Sequence, residues 1–151
     1  MLTLALILNA LHLAYHQVTT NFDFFPFNNI RHYKPSERIA EAGLNALTMG
    51  FPLVALCSQN KALIAVACWV LGFLLIGELL TWWPCYFFGT PKWMPKWQEV
   101  YDRTHKHTIT FLPPIKNHPV PNLEHCILQV ITVTTFVATL YCRFIEVRSL
   151  K

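Results

Sequence analysis

Residues 62–86 read ALIAVACWVLGFLLIGELLTWWPCY, an apolar run interrupted by one charge, Glu78, and closed by Trp82, Trp83 and Pro84. At 1.5 Å per residue this run is long enough to cross the roughly 30 Å hydrocarbon core of a bilayer. The two tryptophans stand where an interfacial aromatic belt is expected. The composition points the same way: of 151 residues 54% are hydrophobic and 13% charged, where a soluble domain carries about 25% charged residues. A water-soluble globule is therefore excluded.

Three further runs flank this one. Residues 2–19 are apolar and lack the basic n-region and small-x-small cleavage site of a signal peptide, so they read as a span. Residues 36–57 follow Pro35, with Ser36 as the expected N-cap, and are the least apolar of the four. Residues 122–141 follow Pro119 and Pro121, with Asn122 placed to cap them. The expected fold is an all-α integral membrane protein. It is a single domain over residues 1–151, an up-and-down bundle of four transmembrane helices with a short interfacial amphipathic helix in the long loop. That helix is expected at about residues 93–104, where Trp93, Trp97 and Tyr101 recur every four residues and Gln98, Glu99, Asp102 and Arg103 take the other side. The segment from Thr108 to Phe111 alternates and should fold back as extended chain over the bundle mouth.

An up-and-down bundle puts residues 21–35 and 87–121 on one membrane face. That face carries Arg31, Lys34, Arg38, Lys92, Lys96, Arg103, Lys106 and Lys116, against Lys61, Arg143, Arg148 and Lys151 on the other. The positive-inside rule then places the two large loops in the cytoplasm of a multi-pass protein. The net charge of +4 suits an anionic lipid surface, and no basic run is dense enough for nucleic acid. Cys57, Cys68, Cys85, Cys126 and Cys142 form no CxxC pair and read as packing residues.

Each span carries a polar stripe. Asn9, His12, His16 and Thr19 share one helix face, and Glu37, Glu41, Asn45 and Thr48 repeat that spacing. The third span adds Glu78 and Thr81; the fourth adds Asn122, His125, Gln129 and Thr132. His16, Glu41, Glu78 and His125 each lie on the order of 6 to 10 Å from their helix midpoints, displaced toward the same face. Ionisable groups facing lipid cost at least ~2.5 kcal/mol at a helix centre, so they should turn inward and meet. His12, His16, His125, Glu78 and Glu41 are accordingly the candidate ligands of a transition metal such as iron, zinc or copper. Glu41 and Glu78 are also the candidate catalytic carboxyls. Asn45, Gln129, His105 and His107 are secondary candidates, and His32 and His118 weaker ones. The remaining polar residues read as glue between helices, and Trp82, Trp83, Trp93 and Trp97 as belt residues.

The HxxxH spacing of His12 and His16 is similar to the first histidine pair of integral-membrane fatty-acid desaturases and hydroxylases. The resemblance covers five residues, and the HxxHH-type boxes of that family are missing here. The leading expectation is a membrane enzyme, metal-dependent, acting on a lipid-soluble substrate. In a metal-free variant Glu78 or Glu41 works with His16 as an acid/base pair for lipid isomerisation or hydrolysis. The alternatives are a haem- or proton-binding carrier or electron-transfer protein, with histidines on separate helices as ligands, and a non-catalytic subunit or assembly factor of an oligomer or membrane complex.

Overall fold

A computed structural model describes residues 1–144; Arg148 and Lys151, counted above in the charge balance, lie outside them. Among the described residues there are five helices and no strand: α1 (Leu2–Asn21), α2 (Pro35–Ser58), α3 (Lys61–Phe88), α4 (Trp97–Thr104) and α5 (Leu123–Phe144). α1 packs against α2 and α5, and α3 packs against the same two, so the four long helices close a ring. Three of them, α2, α3 and α5, are long and apolar enough to cross a membrane. α1 is not among the three; Asn9, His12, His16 and Gln17 lower the hydropathy of its apolar run.

The ring is polar where a soluble bundle would be apolar. Asn9, His12, Thr132, Thr135 and Thr139 are wholly buried, whereas Leu47, Trp69, Phe73 and Val130 are exposed. That distribution suits lipid, in which outward Leu and Val lose nothing and helices associate through close packing and hydrogen bonds. The interior is also graded along its length. An apolar cluster of Ala5, Ala55, Leu56, Ile64, Ala67 and Ala138 fills the end formed by the start of α1, the end of α2, the start of α3 and the end of α5. The opposite end, where the two large loops emerge, holds the histidines and carboxyls.

Local chemistry fixes the helix ends. α2 starts on Lys34 as N-cap with Pro35 in its first turn, and the Glu37 carboxylate accepts a hydrogen bond from the Lys34 backbone N–H at 3.1 Å. The expectation of Ser36 as cap is corrected by that proline, whose φ is already helical and which has no N–H to satisfy. Gln59, in the left-handed conformation, stops α2. Asn60 then starts α3, its Oδ1 accepting from the N–H groups of Ala62 and Leu63 at 2.9 and 3.2 Å. α3 runs through Pro84 to Gly89, whose φ of 85° only glycine adopts without strain. Asn122 caps α5 as expected, accepting from the His125 N–H at 3.1 Å.

The long loop departs from expectation. Its helix starts at Trp97, not Trp93, because Pro91 and Pro95 hold residues 91–96 in turns. Trp93 is left outside it, 63% exposed. Arg103 anchors α4 to the start of α2, with Nη2 donating to both Glu37 oxygens at 3.0 and 3.1 Å and Nη1 to the His32 carbonyl. The segment after α4 passes through a turn at His105–His107 and has no assigned strand; only Thr108 of residues 108–111 is buried, so the expected alternation is not seen. Ile109 donates its N–H to Pro26 O and accepts from the Leu123 N–H, which binds both loops to the mouth of the ring.

Candidate functional site

The five primary candidates fall into two clusters. The deeper one joins three helices through a single hydroxyl: Thr132 Oγ1 of α5 lies 3.0 Å from His12 Nε2 of α1, 2.9 Å from Glu78 Oε1 of α3 and 2.9 Å from its own helix carbonyl at Leu128. A hydroxyl has one proton to give and two lone pairs. When it donates to Glu78 Oε1, that oxygen accepts as part of a carboxylate or as the carbonyl oxygen of the acid; when it donates to Leu128 O or His12 Nε2, the contact with Glu78 needs a proton on Oε1. The bridge therefore serves both protonation states of Glu78. His12 Nδ1 and Glu78 Oε2 are buried with no hydrogen-bond partner, as are Asn9 Oδ1 and Gln129 Nε2. Asn9 Nδ2 donates to Thr139 Oγ1 at 3.1 Å, and Gln129 Oε1 accepts from Trp83 Nε1 at 3.0 Å, so these two amides tie helices together.

The second cluster lies toward the loops. His16 Nδ1 is 3.3 Å from Thr20 Oγ1, and its Nε2 points to Glu41 Oε1 at 3.9 Å. His125 Nδ1 is 2.7 Å from Asn122 Oδ1, whose amide nitrogen donates to Thr108. That assigns the Asn122 oxygen as acceptor and puts the ring proton on Nδ1, leaving His125 Nε2 bare in the neutral ring. Trp82 packs against His125 and His105, with ring centroids 4.6 and 5.1 Å away, and meets Trp97 edge-on at 5.2 Å. At 2% exposure Trp82 is not a lipid-belt residue. The two loops cover the mouth of the ring, so a tryptophan at the end of α3 meets protein where a headgroup was expected.

His105, a secondary candidate from the long loop, is 3% exposed, and its Nε2 lies 3.1 Å from the Tyr33 hydroxyl. Burial pushes the Tyr33 phenol up, so it stays protonated. Burial pushes the His105 imidazole down to about 3, with the Arg103 guanidinium adding to the effect. Unfolded, the same ring binds a proton near pH 6.5. Stability is then complete above pH 6.5 and falls as the pH drops toward 3, since the unfolded chain takes up a proton that the folded chain refuses. The slope is at most about 1.4 kcal/mol per pH unit. Thermal unfolding in detergent between about pH 8 and pH 4 checks this: the wild type should lose stability more steeply than His105→Gln. Parallel profiles would remove His105 as the cause.

A cavity of about 820 Å³ opens between α2 and α3 and unites the two clusters: His16, Glu41, Asn45, Glu78, His105 and His125 all line it. Its remaining wall is largely apolar, with Met49, Val70, Phe73, Leu74 and Leu128, and its rim at Phe73 and Gly77 is exposed. His12 and Gln129 lie outside it. His107 is exposed, and His118 serves the fold by binding the Tyr86 carbonyl through Nδ1 at 2.9 Å. Among the described residues no group of three or more His, Cys, Asp and Glu side chains is arranged to hold a metal ion. No family model, curated protein or solved structure matches the chain. Its chemistry is read from the site alone. Sequence reading did not find Tyr33, which has no helical pattern to place it, nor Glu124, which reads as a first-turn acid favouring the helix dipole.

Proposed function

We propose that the chain is a four-span membrane enzyme, its two large loops on the cytoplasmic side, that uses Glu78 and Glu41 with His16 as acid/base groups on a lipid-soluble substrate. One observation carries this reading: three carboxyls, Glu37, Glu41 and Glu78, and three imidazoles line a single cavity whose other surface is largely apolar and whose rim is exposed on α3. A cavity of 820 Å³ lies within the range of roughly 300–1,000 Å³ typical of small-molecule sites. Its apolar wall would take a hydrocarbon body and its polar end the reacting centre. A carboxyl and an imidazole held out of water can take a proton from one carbon and return one to another, or activate a water on an ester.

Both reactions move a solvent-exchangeable proton. The test is incubation of the purified protein with a membrane lipid extract in D2O, followed by mass spectrometry for a lipid that gains deuterium at carbon or for released fatty acid. Gly77 supplies the control, since a Cβ at this rim position meets nothing within 4 Å. Gly77→Phe should fill the mouth while the helix gains up to about 0.5 kcal/mol from loss of the glycine. The expected result is labelling or hydrolysis by wild type, lost in a Gly77→Phe protein of equal or higher thermal stability. No new lipid product with wild type sinks the reading.

A metal-dependent form of the same reading, with iron, zinc or copper, would draw on His16, Glu41 and His125, which line the cavity without being gathered into a coordination shell. Stoichiometric metal by elemental analysis, lost in His16→Ala and His125→Ala alike, would establish it.

A further inference from the structure

Behind the lateral cavity lies a second chamber, and the two share Tyr33, Glu41, His105 and His125 in their linings. These four side chains are the partition between them. The chamber measures about 20 Å³, enough for one water molecule. Its far wall includes Arg38 and Glu124, neither of which reaches the lateral cavity. A buried water needs two to four polar partners, and the Glu41 and Glu124 carboxyls with the two imidazoles supply them. The Glu124 side chain is 12% exposed, and its Oε2 lies 3.8 Å from His125 Nδ1. The mechanism proposed above leaves Glu124 unused, although it is a carboxyl held inside the mouth of the ring.

We propose that this chamber is a proton inlet, in which one water carries protons between Glu124 and Glu41 and so resets the catalytic carboxyl after each turnover. This rests on the acid/base reading and adds to it a proton-supplying residue that never meets substrate. The step balances: the Glu124 carboxyl gives its proton to the water, the water gives one of its own to the Glu41 carboxylate, and Glu124 is left as carboxylate. It regains a proton from solvent on the Arg38 side. Only O–H bonds change, and one positive charge moves inward.

Two measurements test it. Infrared spectra of the purified protein in H2O and D2O, without substrate, resolve the carboxyl or carboxylate band of Glu41, which is identified by its disappearance in Glu41→Gln. That band is expected to shift in Glu124→Gln; a band indifferent to Glu124→Gln overturns the inlet. The second measurement is turnover in the deuterium assay. Glu124→Gln should lower kcat at least about tenfold with KM unchanged, less than loss of a group that touches the reacting atoms. Glu124→Ala leaves room for a small proton carrier, so formate or imidazole should restore its rate. A raised KM, or a loss that neither carrier restores, makes Glu124 structural and overturns the proposal. Were wild type to label no lipid, the acid/base reading would fall, and the infrared measurement would still decide the inlet.

Discussion

Glu78→Gln is expected to slow deuterium incorporation by at least about 100-fold, the lower end of what a positioned general acid or base contributes, without weakening the fold. Glu78 meets the protein through one oxygen only: Oε1 lies 2.9 Å from Thr132 Oγ1, while Oε2 has no partner, and the side chain lines the lateral cavity. Glutamine fills the same space and keeps one amide bond to Thr132, but it has no proton to release. A neutral amide is also cheaper than a carboxylate to hold out of water, so the thermal midpoint should stay or rise. Lower rate at equal or higher stability separates chemistry from structure. A Glu78→Gln protein that keeps more than about a tenth of the wild-type rate would place Glu78 among the helix-tying polar groups instead.

The long helices were legible because the length of an apolar run and proline punctuation are local signals. α3 is specified by its own apolar run, and Asn60 and Asn122 announce the helices they cap. The inward turn of the polar stripes was legible too, since lipid leaves a buried His or Glu no other direction. Partner choice within the ring was not. Matching depth grouped Glu78 with His16, Glu41 and His125, yet its hydrogen bond runs through Thr132 to His12. A threonine on a helix bonds its own i−4 carbonyl by default, so nothing in its position marks Thr132 as a bridge between two other helices. Trp82 was misplaced for a related reason. An aromatic at the end of a span looks the same in sequence whether a headgroup or a folded loop lies beyond it, and here Trp97, Tyr101 and His105 do. Those contacts depend on α4 being carried back over the mouth by Arg103, a pairing across 66 residues that no local pattern encodes.

Because Thr132 is the hinge of the deeper cluster, removing its hydroxyl should be felt in both stability and rate. Thr132→Val keeps the shape and leaves His12 Nε2 and Glu78 Oε1 without their shared partner. His12 is wholly buried and its Nδ1 already lacks one, so the ring would be left with no hydrogen bond at all. Each unsatisfied buried group costs about 1–3 kcal/mol, giving for the two a loss of about 2–6 kcal/mol and a fall in the thermal midpoint on the order of 10 °C. Thr132→Ser keeps the oxygen, gives up one methyl, and should recover most of that loss. The rate adds a second readout. If the hydroxyl hands a proton between Glu78 and His12, Thr132→Val should slow deuterium incorporation even at temperatures where it is fully folded, and Thr132→Ser should not. If valine lowers the midpoint but leaves the rate of folded protein unchanged, the bridge only holds three helices together and Glu78 exchanges its proton by another route.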